Sequence, residues 1–89
     1  RVIPNPVTTS ARFQVEDPTV AEMRVEIYDL SGDRVFESIW VQGDSIWWDG
    51  RHDAGEHLAN GPYLYVAWTK DTGGAIRASD VQKLFLYRH

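Results

Sequence analysis

Apolar residues in this chain recur at every second position, in short runs that Gly, Pro, Asp or Asn repeatedly cut off. A spacing of two is the signature of a strand with one buried face, and nothing here shows the three-to-four spacing of a helix. Ala11, Phe13 and Val15 share one face of the first run, which follows an extended Pro4-Asn5-Pro6 segment. In the next run Met23, Val25 and Ile27 point one way, and Arg24, Glu26 and Tyr28 the other. Gly32 marks a turn after Leu30, so residues 23–41 read as a hairpin. Ile46-Trp47-Trp48 is a short strand, 51–61 a polar loop, and Tyr63 to Thr69 another strand with Pro62 at its mouth. Lys70 to Gly74 turns the chain into a last run, Ala75 to Tyr87, with a bulge expected near Ser79-Asp80.

About seven strands in one short chain predict an all-β, immunoglobulin-like or fibronectin III-like two-sheet sandwich. A closed barrel is the lesser alternative. The expected core is Phe13, Val25, Ile27, Trp48, Leu64, Val66, Leu84 and Leu86, and no internal repeat is evident. The length of 89 residues is one domain's worth, so residues 1–89 are read as a single module. Arg1 is not an initiator Met, which suggests a segment of a larger protein, and His89 is open between a native residue and the start of a tag.

Composition narrows the function classes. Nine basic against thirteen acidic side chains give a net charge of −4. That argues against nucleic acid, which is gripped by clustered Lys and Arg. No run approaches the roughly 18–20 apolar residues of a membrane-spanning helix. With no cysteine there is neither a disulfide framework nor a thiolate metal site.

Asp49, His52, Asp53, Glu56 and His57 form one cluster with metal-ligand chemistry. Their spacing matches neither a calcium-binding EF-hand loop nor a paired-histidine helix face, so a solvated polar loop is the plainer reading. Ser45, His52 and Asp53 supply the residue types of a nucleophilic triad. Nothing around Ser45 marks a strained nucleophile turn, and adjacent His52 and Asp53 are poorly placed to aim at each other. No catalytic residue, cofactor site or metal site is assigned, and the chain is read as non-catalytic. Four Trp, four Tyr and three Phe raise a carbohydrate platform built from Trp40, Trp47, Trp48 and Trp68. The plainer account is that a small core without disulfides needs large side chains. Adjacent Trp47 and Trp48 must face opposite sides of their strand, so one anchors the core and the other looks outward.

Pro4-Asn5-Pro6 is followed by Val25-Glu26-Ile27-Tyr28-Asp29-Leu30-Ser31-Gly32 and Trp48-Asp49-Gly50-Arg51-His52-Asp53-Ala54-Gly55. Then come Leu58-Ala59-Asn60-Gly61-Pro62-Tyr63-Leu64-Tyr65 and Lys83-Leu84-Phe85-Leu86. In this order the set resembles the immunoglobulin-like domain of the flagellar hook-capping protein. It also resembles the related C-terminal modules of secreted bacterial proteins, some of which are type IX secretion sorting signals. The resemblance implies a secreted or cell-surface module serving sorting or surface attachment, with a secretion or surface receptor and the parent's neighbouring domains as partners. Alternatives are a binding module for glycan or a neighbouring catalytic domain, and a spacer in a flagellar hook-like assembly. The alternating Lys83 to Arg88 run, as a last strand, is expected at a sheet edge where another chain would pair with it.

Overall fold

The computed structural model describes Arg1 to Arg88; His89, whose origin the sequence left open, lies outside the described residues. Nine strands follow one another: β1 (Val2–Ile3), β2 (Ala11–Gln14), β3 (Val20–Tyr28), β4 (Arg34–Glu37), β5 (Val41–Gln42), β6 (Ser45–Trp48), β7 (Gly61–Asp71), β8 (Ile76–Ala78) and β9 (Gln82–Leu86). They form a three-stranded sheet, β1-β2-β6, and a six-stranded sheet in which β4 and β5 flank β3 while β8 and β9 flank β7. All these pairings are antiparallel. The predicted sandwich is what forms, with two of the expected long runs each divided in two.

The core lies between the sheets. Phe13 from β2 packs edge-on against Tyr65 from β7, ring centroids 4.9 Å apart, and tilted against Trp48 from β6 at 6.1 Å. Met23, Val25, Ile27 and Leu84 are wholly buried, and Leu86 nearly so. One expectation fails. Leu64 and Val66 are only partly buried, whereas Tyr63, Tyr65 and Ala67 face the core. Both faces of β7 are apolar, so alternation alone could not choose between them. The aromatic pair won because Phe13 offers Tyr65 a ring to pack on.

A second correction concerns repetition. The two halves of the large sheet are built alike around the central pair Val25↔Ala67. β3 is followed directly by Asp29, whose Oδ1 accepts from the amides of Ser31 and Asp33, both at 3.0 Å. β7 ends at Asp71, whose Oδ1 accepts from Gly73 and Ala75 at 2.8 and 2.9 Å. Gly32 and Gly74 complete these turns at φ of 93° and 88°, a region that glycine enters without strain. Each return strand then breaks at a serine. Ser38 N–H donates to Val25 O, Val25 N–H donates to Ser38 Oγ, and that hydroxyl donates to Ile39 O, each at 2.9 Å. Ser79 repeats the pattern on Ala67 and Asp80 at 2.8, 2.9 and 2.9 Å. Each serine hydroxyl stands in for a main-chain acceptor and lets the edge step by one residue, as a bulge does. The bulge expected at Ser79-Asp80 is therefore present, and Ser38 is its twin. Few residue identities coincide between the halves, which is why the sequence showed no repeat.

Candidate functional site

The polar loop after β6 has a structural occupation. Asp49 Oδ1 accepts from Arg51 N–H at 3.2 Å, and His52 Nδ1 accepts from Ala54 N–H at 3.0 Å. Asp53 lies along the outer edge of β4: its N–H donates to Val35 O and its Oδ1 accepts from Glu37 N–H, both at 3.1 Å. His57 Nδ1 lies 3.1 Å from the Arg88 guanidinium. Among the described residues no three His, Cys, Asp or Glu side chains converge to hold a metal ion. The Ser45, His52 and Asp53 set is likewise not brought together by hydrogen bonds; Asp53 serves Glu37 instead.

The other edge of the large sheet is closed in the same way. Asn5 Oδ1 accepts from Phe85 N–H at 3.0 Å, Val7 N–H donates to Phe85 O at 2.6 Å, and Tyr87 N–H donates to Val7 O at 2.8 Å. The N-terminal segment thus straps the outer side of β9, and the main chain at Phe85 and Tyr87 is already engaged. This corrects the expectation that the last strand offers another chain its edge. Arg88 continues the closure. Its guanidinium donates to Gly50 O at 3.2 Å and to Leu58 O, while its amide donates to Asn60 Oδ1 at 2.8 Å. Gly50, at φ 77°, packs so closely that a Cβ there would sit 3.3 Å from Arg88 Nη1.

The four tryptophans divide into separate places. Trp48 is 2% exposed and donates from Nε1 to Arg51 O at 3.0 Å. Trp40 and Trp68 lie with Arg24 on the outer face of the large sheet, the Arg24 guanidinium 5.8 Å from one ring centroid and 5.3 Å from the other. Lys70 Nζ stands 4.7 Å from the Trp40 centroid. Buried Glu26 ties this group together, accepting from Trp68 Nε1 at 2.6 Å and Tyr28 O–H at 3.0 Å, and pairing with Arg24 at 3.3 Å. Burial opposes its ionisation, but the bonds from Tyr28 and Trp68 and the charges of Arg24 and Arg34 outweigh it and hold the carboxyl below its ordinary range. Sequence reading placed Glu26 only on a polar strand face; its partners come from other strands.

Trp47 stands apart. It is 68% exposed on the outer face of the small sheet, with the Arg12 guanidinium 6.0 Å from its ring centroid. Arg12 Nε is buried and makes no hydrogen bond. A shallow depression of about 350 Å³ lies beside them, lined by Ser10, Phe36, Trp47, Trp48 and Asp49. The tryptophans therefore form no continuous carbohydrate platform.

Comparison with known proteins places this architecture. The model of the CHU_C Type IX secretion signal domain family matches residues 2–87. Among solved structures, dimeric latent PorU from Porphyromonas gingivalis is similar at a TM-score of 0.79 and 29% identity, covering 100% of this chain and 9% of that one. FlgD from Xanthomonas campestris, whose structure bears on hook capping in flagellar assembly, is similar at 0.67 and 27% identity, covering 91% and 60%. PorZ, an essential surface component of the type IX system of Porphyromonas gingivalis, shares the fold at 0.61 and 18% identity, over 99% of this chain and 11% of that one. No curated relative matches.

Proposed function

The chain belongs to the type IX secretion signal domain family, and on that premise we propose that residues 1–89 are a single C-terminal module of a larger exported protein, engaged as a folded unit. Membership makes the chain a non-catalytic module that directs secretion and surface attachment, and its parent a secreted or cell-surface bacterial protein that meets the secretion machinery. The identity of the receptor and contact with the parent's neighbouring domains belong to the proposal. The observation that carries it is the extent of the family match, which runs from β1 through β9 and so spans both sheets. A signal confined to the last few residues would not need the other strands.

The test is transplantation. Residues 1–89 fused behind a fluorescent reporter with its own inner-membrane export signal should carry it to the surface of a bacterium possessing a type IX apparatus. The same fusion should stay in the periplasm of a strain lacking that apparatus. Equal surface delivery in both strains, or retention in both, would overturn the reading. The outward Trp47 favours a second role, contact with a neighbouring domain of the parent. A fluorescence shift of Trp47 on fusion to that domain would register the contact.

A further inference from the structure

Strand edges are where a sheet can accept another chain, and the main-chain bonds identify one edge here that remains available. Gln14 exchanges both its main-chain bonds with Arg1, its amide donating at 2.8 Å and its carbonyl accepting from the N-terminal amine at 2.7 Å. Val15 N–H, one residue on, donates to Asp44 O on the opposite side at 2.9 Å. Antiparallel pairs alternate, so Phe13 bonds Ile46, Ala11 bonds Trp48, and the main chain of Ser45 and Trp47 is turned away from β2. β6 closes its sheet on that side. Its position contrasts with β4, covered by Asp53, and β9, strapped by Asn5 and Val7. The three residues of β8 also lie at an edge, but every one of their side chains is exposed. Beside β6 there is the apolar depression walled by Phe36, Trp47 and Trp48.

We infer that β6 is a strand-addition site, and that its occupant is an extended polypeptide segment of the secretion machinery carrying a large apolar side chain. Outward N–H and C=O groups of Ser45 and Trp47 match the main chain of an added strand, and the depression receives the apolar side chain. A strand is favoured over a sugar because the unmet groups belong to the backbone of an edge, and a pyranose cannot satisfy a strand ladder. The identity of the partner rests on the secretion-signal reading; the edge itself does not.

The test uses the reporter fusion with three variants. Ser45→Pro deletes one outward donor and leaves Trp47 in place, since proline is tolerated at an edge position whose N–H faces out. Ser45→Lys keeps the main chain but puts a charge on the edge, a device by which natural edges repel added strands. Trp47→Ala removes the ring and leaves the ladder. Melting curves verify that each variant folds. Ser45→Pro should lower surface delivery about tenfold, the loss expected from one or two main-chain bonds, and Ser45→Lys about as much because its charge opposes the seating of an apolar strand. If Ser45→Pro does not fold, Ser45→Lys carries the decision alone. Normal delivery by a folded Ser45 variant overturns strand addition, and if Trp47→Ala fails at the same time the ring is a glycan platform instead. Failure of the secretion reading looks different: the unmodified fusion itself would then not depend on the apparatus. Amide exchange in the free domain provides an independent check, because slow exchange at both Ser45 and Trp47 would mean the edge is already occupied.

Discussion

Trp48 and Trp47 are neighbours in sequence with opposite fates, 2% and 68% exposed. Trp48 touches Phe13 and Phe36 and anchors the loop through Arg51 O. Trp48→Ala should therefore destabilise by roughly 3–5 kcal/mol in urea titrations, and Trp47→Ala by about 0.5 kcal/mol, as surface changes do. Equal losses would contradict the face assignment. Glu26 makes a pH prediction. Its folded carboxyl is held below its ordinary value. The stability it contributes is complete above the unfolded value of about 4.3 and is lost as pH falls through the lower folded value. Wild type should thus lose more stability on acidification below about pH 4 than Glu26→Gln, which has no proton to take up there. Parallel curves for the two proteins would remove Glu26 from the account. The two tryptophan faces were legible in advance, because a strand alternates whatever surrounds it. Trp48 was placed in the core and is there; what Glu26 binds depends on residues far away in the chain.

At the scale of elements, the large sheet is one unit used twice: strand, aspartate turn, short return strand, serine bulge, second short strand. Removing either serine hydroxyl leaves a main-chain amide of a core-facing residue, Val25 or Ala67, without its acceptor. Ser38→Ala and Ser79→Ala should each cost about 1–3 kcal/mol by chemical denaturation, and the two losses should be similar because the geometries are. Threonine at either position keeps the hydroxyl and should restore much of the loss; no recovery would mean the bond is not the cause. Strand existence was readable from alternation and turn residues across most of the chain. The bulge at Ser79-Asp80 was anticipated, but its twin at Ser38 was not, since a serine inside a strand carries no local mark of which acceptor it replaces. The face of β7 was misread because Leu64 and Val66 are as apolar as Tyr63 and Tyr65. Asn5 and Asp53 were unreadable as edge caps for a different reason: the edges they cover are assembled from Phe85 and from Val35 and Glu37, distant in sequence.

The whole molecule is closed by its ends. β9 supplies Leu84 and Leu86 to the core, and Tyr65 O–H donates to Gln82 at 2.5 Å. Deleting residues 81–89 should abolish cooperative thermal unfolding measured by circular dichroism, so truncation confuses loss of signal with loss of fold. A truncated chain that still melts cooperatively would show β9 to be dispensable. The strap has a consequence in time. Asn5 and Phe85 are 80 positions apart, so the opening segment of the domain cannot seat until β9 is available. Synthesis at roughly 5–20 residues per second leaves the opening segment waiting several seconds for its partner strand. Closing so long a loop brings its reward only when β9 arrives, so the finished sandwich is a record that the domain is present through β9. A receptor that reads the folded domain therefore ignores a chain broken off before β9, and a check on the domain's own completeness is built into its shape.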